Sequence, residues 1–275
     1  MKINKVILLT ACINPNGMSF TKLQDKEERK KQYLEALDFY LSSTKLRIVF
    51  CDNSGEDLSG LRCQVNNPRA EMLSFQGNDY DKNLGKGYGE FGILQYAFQH
   101  SAFIKEATTV IKITGRLVVN NIVETIKLHE KLFGHPKRFV YVGELDGVST
   151  FDSRCIVADK DFYLSHFLTM NNTVNDSAGY YFEHLLYDAI SSLPENYIVS
   201  NFALPLRFSG ISGSTGNLYE NEELTNVQKL VLIRDFCQYK KQSYKSNKKC
   251  LYYWLFLVSF TVRIQKAIAK RILKI

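Results

Sequence analysis

Asp52 follows the apolar run Ile48-Val49-Phe50-Cys51 and opens the turn sequence Asn53-Ser54-Gly55. A carboxylate just past a buried strand can accept hydrogen bonds from a base or a ribose; the same four residues are also ordinary turn chemistry. A second segment, Asn83-Leu84-Gly85-Lys86-Gly87-Tyr88-Gly89-Glu90, sets glycines and a cation ahead of a helix. Backbone amides can approach an anion in such a setting. Glycines 87, 89 and 92 satisfy G-x-G-x-x-G, but the polar stretch Asn78-Asp79-Tyr80-Asp81-Lys82 before them is no strand, so the dinucleotide fingerprint fails, and no G-K-[ST] occurs. The third segment is Val110-Ile111-Lys112-Ile113-Thr114-Gly115-Arg116-Leu117. Lys112 and Thr114 fall on one face of a strand, and a lysine in a buried strand needs an anion beside it. Farther along come Asp152 and Arg154, then Glu183 in the first turn of a helix, then Arg207 ahead of a Ser/Gly-rich stretch to Gly216 that reads as a mobile lid.

These groups need a frame to converge. Val6–Ala11, Leu46–Cys51, Thr109–Thr114, Phe139–Val142 and Cys155–Ala158 read as strands, and Asp25–Leu41, Gly87–Gln99, Asn121–Phe133 and a segment running to Ile190 read as helices. Strands spaced by helices imply an α/β fold with a mostly parallel sheet covered on both faces. Ligands of such sheets bind at the carboxyl ends of the strands, so the turns at Asp52, Gly85 and Gly115 are expected along one edge. Nothing divides residues 1–220; residues 221–275 form a separate helical, basic tail.

The charge is unevenly placed. Of the 35 Lys and Arg, ten lie from Lys240 onward, where no acid occurs; the preceding 239 residues carry 25 basic and 28 acidic side chains, a net −3. A mildly acidic body argues against nucleic acid, and a basic tail argues for one local anionic contact. The twelve residues Leu251–Val262 are too short to span a bilayer, which takes about 20. With the flanking lysines and the Arg263–Lys274 alternation of apolar and basic residues, they fit a helix lying on an anionic membrane surface; docking on the domain formed by residues 1–220 or on a second subunit is the alternative. The apolar stretch at the start of the chain is too short for a secretory signal. The six cysteines (Cys12, Cys51, Cys63, Cys155, Cys237 and Cys250) have no paired spacing and read as reduced thiols. The five histidines show no metal spacing.

Strand one ending at Thr10-Ala11-Cys12, then strand–Asp52, then Asn83-Leu84-Gly85-Lys86-Gly87 with its helix, then a polar motif at a strand end: this order resembles the GT-A glycosyltransferases over about residues 5–210. The resemblance implies a GT-A, Rossmann-like fold. It implies that Thr10, Ala11, Asp52, Asn83 and Lys86 contact the donor nucleotide, joined by Lys112, Thr114, Arg116 and Arg207. In that family the fourth motif is usually DxD and holds a divalent metal. Here it reads Lys112-Ile113-Thr114-Gly115-Arg116, which points to a metal-free site with no other cofactor; Asp79-Tyr80-Asp81 is a literal DxD but follows no strand. A general base at a helix start makes Glu183 the first candidate, with Asp146 and Asp152 as further catalytic carboxylates. The expected activity is transfer of a sugar from a nucleotide-sugar donor to a lipid-linked or growing surface glycan. The expected setting is the cytoplasm, at the inner face of the membrane. A nucleotidyltransferase and a membrane-docked interaction module are the alternatives.

Overall fold

The computed structural model describes residues 4–59, 66–144, 149–219 and 223–243. Asp146 and the proposed membrane-binding segment 251–275 lie outside the described residues. In chain order the elements are β1 Lys5–Ala11, α1 Lys26–Ser43, β2 Arg47–Asp52, β3 Ala70–Ser74, α2 Lys86–His100, α3 Ala102–Glu106, β4 Thr109–Thr114 and β5 Val118–Val119. There follow α4 Ile122–Phe133, β6 Phe139–Glu144, β7 Phe151–Asp159, α5 Phe182–Ser191, β8 Ile198–Asn201, β9 Phe208–Ile211, β10 Leu218–Tyr219 and α6 Asn226–Ser243. The described residues fall into two compact units, one drawn from 1–120, 136–201 and 207–220, the other from 121–135, 202–206 and 221 onward.

The first unit is built on a seven-stranded sheet of order β3-β2-β1-β4-β7-β6-β8. β7 alone runs against its neighbours β4 and β6; the other pairings are parallel. This is the mostly parallel α/β architecture expected from the alternation of strands and helices. Period two assigns the faces. Val49 and Cys51 join Phe91, Leu94 and Ala97 of α2 and Leu185, Leu186 and Ala189 of α5 in one apolar cluster. Phe50 points the other way and meets Tyr33 of α1 edge-on at 5.8 Å. α1 starts at Asp25, whose carboxylate caps the Glu28 amide at 2.7 Å. It buries Tyr33, Ala36, Leu37 and Tyr40, an i, i+3, i+4, i+7 stripe. Helices therefore cover both faces of the sheet.

The chain winds outward from β1 to β2 and β3, then returns through α2 to β4 on the other side of β1. That reversal leaves a crevice at the carboxyl ends of β1 and β4, the place where open α/β sheets bind ligands. Gly115, just past β4, donates its amide to the Thr10 carbonyl at 2.9 Å. A Cβ there would stand 2.6 Å from that carbonyl and against the Tyr33 ring. Only glycine lets the two strand ends approach so closely.

Two elements differ from the sequence expectation. β3 is a half-buried edge strand, Ala-Glu-Met-Leu-Ser, too polar to stand out by pattern. The Ser/Gly-rich stretch after Arg207 is no free lid: β9 pairs with β5 and β10 in a small antiparallel sheet. Phe208 is buried, and the turn between the strands is closed by Ser212 N to Asn217 O at 2.8 Å and Gly216 N to Ser212 O at 2.9 Å. In the second unit, α4 and α6 are joined by the Lys229–Glu124 pair at 2.8 Å and by an apolar cluster of Leu128, Ala203, Leu204 and Ile233. Among the described residues no helix is long and apolar enough to cross a membrane.

Candidate active site

A cleft opens at the switch point of the sheet. It is lined by the end of β1 (Thr10, Ala11, Cys12), by the following loop, by Arg29 and Tyr33 of α1, by Asn53 after β2, by Tyr80, by Lys86 and Glu90 of α2, and by Thr114 and Arg116 after β4. The three turns read as one edge in the sequence do gather here.

The cleft carries an excess of positive charge. Arg116 is 6% exposed and forms no salt bridge among the described residues. Its Nη1 donates to Gln32 Oε1 at 3.1 Å and to the Ile211 carbonyl at 3.3 Å, its guanidinium lies over the Tyr33 ring, and its Nε has no partner. Arg29, 5% exposed, donates through Nε and Nη2 to the Cys12 carbonyl at 2.8 and 2.6 Å and through Nη1 to Leu23 at 3.2 Å. These bonds fold the β1–α1 loop along the cleft but leave the charge unneutralised. Lys86 is exposed, and its ammonium touches the Ser214 hydroxyl in the β9–β10 turn. Burying an ion without a counter-ion costs several kcal/mol even after relaxation, so a pocket of this kind is completed by an anion.

Lys112 is placed differently. It is fully buried, with Nζ 2.6 Å from Glu90 Oε1, 2.6 Å from the Ser153 carbonyl and 3.5 Å from Thr114 Oγ1. The anion that a strand lysine requires is thus supplied by α2, and Lys112 does not line the cleft. Glu90 also accepts from Thr10 Oγ1 at 2.9 Å, tying β1, β4 and α2 together.

Asp52 is likewise turned inward. Its carboxylate accepts from the Ile13 amide at 2.8 Å, from Ser54 Oγ at 2.8 Å and from the Ser54 and Glu56 amides at 3.0 and 3.3 Å. Burial raises its pKa against the pull of those bonds. Asp52 organises the loops after β1 and β2, and it is the next residue, Asn53, that reaches the cleft. The start of α2 is also occupied: the buried Asp176 carboxylate packs against it, and a Cβ on Gly85, at φ +83°, would run into it. The anion held at this helix start is the protein's own.

Asn83 is exposed in the turn Lys82–Leu84, with its carbonyl accepting from Ser177 Oγ at 2.6 Å. Asp79 and Asp81 are exposed, and Asp81 caps that turn by accepting from the Asn83 amide at 3.0 Å. Arg207 lies just before β9 and outside the cleft lining. Glu183 is half-buried at the start of α5 and accepts from Ser153 Oγ at 2.6 Å. Asp152 is gripped by Arg154, with Nε and Nη2 at 2.9 and 2.7 Å. Neither carboxylate lines the cleft. Sequence reading missed Glu90, Arg29 and Tyr33. Glu90 follows Lys86 by one helical turn, a signal that α2 presents both to one side.

Among the described residues no three His, Cys, Asp or Glu side chains converge. The strand end where the resemblance puts a metal-binding carboxylate pair carries Thr114 and Arg116 instead. Those residues do not fit a divalent cation, which takes carboxylate oxygens.

The fold and the cleft define an α/β protein with a cationic crevice at the switch point of its sheet. No family model and no curated protein matches the chain. Among solved structures it is similar to a glycosyltransferase involved in glycosylating the major capsid of PBCV-1, at 12% identity and TM-score 0.43, covering 72% of this chain and 82% of the other. It is similar to residues 1–349 of S. aureus TarS at 11% identity and TM-score 0.46, over 88% and 73%. It is similar also to the galactosyltransferase LgtC, solved with donor and acceptor sugar analogs, at 8% identity and TM-score 0.41, over 72% and 73%.

Cys12 provides a chemical probe of this wall. Burial pushes its thiol up to about 11, outweighing Arg29, which pulls it down. Peptide mapping after iodoacetamide treatment is expected to find Cys12 nearly unmodified at pH 7.5, with labelling rising about tenfold per pH unit toward pH 11. Rapid labelling at neutral pH would show that the arginines hold a thiolate there.

Proposed function

We propose that the protein is a glycosyltransferase that moves a sugar from a nucleotide-sugar donor to a lipid-linked or growing surface glycan of the capsule, O-antigen or lipooligosaccharide kind, without a divalent metal. The observation that carries the reading is Arg116: a buried guanidinium, lining a cleft at the end of β4, in no salt bridge with a carboxylate among the described residues. A departing nucleoside diphosphate develops negative charge on its phosphate oxygens, and a preorganised cation in a water-poor site stabilises that charge. Arg can grip phosphate in a fork, and Lys86 adds a second, more mobile charge at the cleft. Glu183, held by Ser153, is the candidate base for the acceptor hydroxyl.

The direct test is release of nucleoside diphosphate from UDP- and GDP-linked sugars, or of CMP from CMP-linked sugars, in EDTA. Turnover is expected without added metal. Arg116→Ala or Lys86→Ala is expected to lower it about ten- to a hundredfold, since a charge-assisted hydrogen bond contributes roughly 1.5–3 kcal/mol. Activity abolished by EDTA, restored by manganese and lost in Asp79→Ala or Asp81→Ala would contradict the metal-free reading and move the chemistry to that loop.

We further place the enzyme at the inner face of the cytoplasmic membrane, on the basic and apolar pattern of residues 240–275. Co-sedimentation with vesicles containing anionic lipid should be lost when those residues are deleted, and weakened by high salt. Deletion that leaves vesicle binding intact would overturn this placement.

A further inference from the structure

The cleft holds one group that a site for phosphate alone would exclude. Glu90 is the single carboxylate among the lining residues, surrounded there by Arg29, Lys86 and Arg116. Its Oε1 is doubly engaged, by Lys112 Nζ at 2.6 Å and Thr10 Oγ1 at 2.9 Å. Its Oε2 has no partner among the described residues, and the side chain remains 19% exposed. An ionised carboxylate is acceptor-only, so it repels phosphate and receives hydroxyl groups.

We propose that Glu90 binds a hydroxyl of the transferred sugar and thereby makes the cleft prefer a nucleotide sugar to the bare nucleoside diphosphate. This rests on the donor-binding reading given above. The choice of the transferred sugar over the ribose comes from the network behind Glu90. Lys112 contacts both Glu90 and the Ser153 carbonyl, and Ser153 Oγ donates to Glu183 at 2.6 Å. Glu90 therefore touches the buried ammonium directly, and the candidate base is tied to the same ammonium through Ser153. The reacting sugar must lie between the leaving diphosphate and the base, while the nucleoside extends away from both. A hydroxyl-binding carboxylate on the side of the base meets the sugar. Lys112 pairs with Glu90 and fixes it in place, a positioning role without contact to the ligand.

The test compares affinity for a nucleotide sugar with affinity for its own leaving group. Binding of UDP-glucose and UDP, GDP-mannose and GDP, and CMP-sialic acid and CMP is measured calorimetrically on the full chain, and the variants are then tested on each pair that binds. Glu90→Gln keeps the acceptor for Thr10 but removes the charge. Because it leaves buried Lys112 without its counter-ion, the double variant Glu90→Gln/Lys112→Met is measured alongside, with melting temperature read first. In the double variant the sugar-linked nucleotide should bind at least tenfold more weakly while the diphosphate or monophosphate alone stays within about twofold. Equal loss of both would assign Glu90 to the nucleoside or to the fold. No loss of either would remove Glu90 from the site. A wild-type protein that binds none of the pairs would defeat the reading of the cleft itself, and the role of Glu90 with it.

Discussion

The site is organised around one buried ammonium. Lys112 sits in the middle of the sheet, on β4, where a positive charge is tolerable only if it is neutralised and fully hydrogen-bonded. Glu90 neutralises it from α2, and the Ser153 carbonyl completes it from β7. Through Glu90 it fixes the Thr10 hydroxyl on β1, and through Ser153 it is linked to Glu183 at the start of α5. The ring of Phe182 lies 5.4 Å from the ammonium. Five elements thus converge on one charge, and each sends a residue either to the cleft or toward the candidate base.

The inward use of charge defines what remains for a ligand. Lys112 is balanced by Glu90, Asp176 packs against the start of α2, and Asp52 is surrounded by the loops it holds. What the cleft offers is Arg116, Arg29 and Lys86, with the free oxygen of Glu90 at one side. On the proposed reading these groups receive a ligand with an anionic centre and a hydroxyl-bearing end. The neighbouring β9–β10 turn borders the guanidinium: a Cβ on Gly213 would fall against Arg116.

Much of the frame was legible because it is periodic. The apolar runs of β1, β2 and β4, the Asp25 cap and the buried stripe of α1 are local patterns. The requirement that Lys112 have an anion was legible too, from the cost of a buried charge. The identity of that anion was not, because Glu90 lies on a different element and only the packing of α2 against the sheet brings it near. The same holds for Asp176: glycines before a helix announce free amides, but a carboxylate far along the chain packs against that helix start. β3 escaped because all five of its residues are half-buried, so no alternation marks its faces. The β9–β10 hairpin escaped because its composition matches that of a loop, and the pairing with β5 that orders it is non-local.

The central claim is that an anion completes the charge of Arg116 without the help of a metal. Calorimetric titration of inorganic pyrophosphate in EDTA, against the wild-type protein and against Arg116→Met, tests it most directly. Methionine keeps much of the side-chain volume and removes the buried charge, so the variant should melt no lower than the wild type. The account predicts binding to the wild type in the absence of metal and affinity at least tenfold weaker in the variant. Binding that appears only when magnesium or manganese is added, or equal affinity in the two proteins, would contradict it.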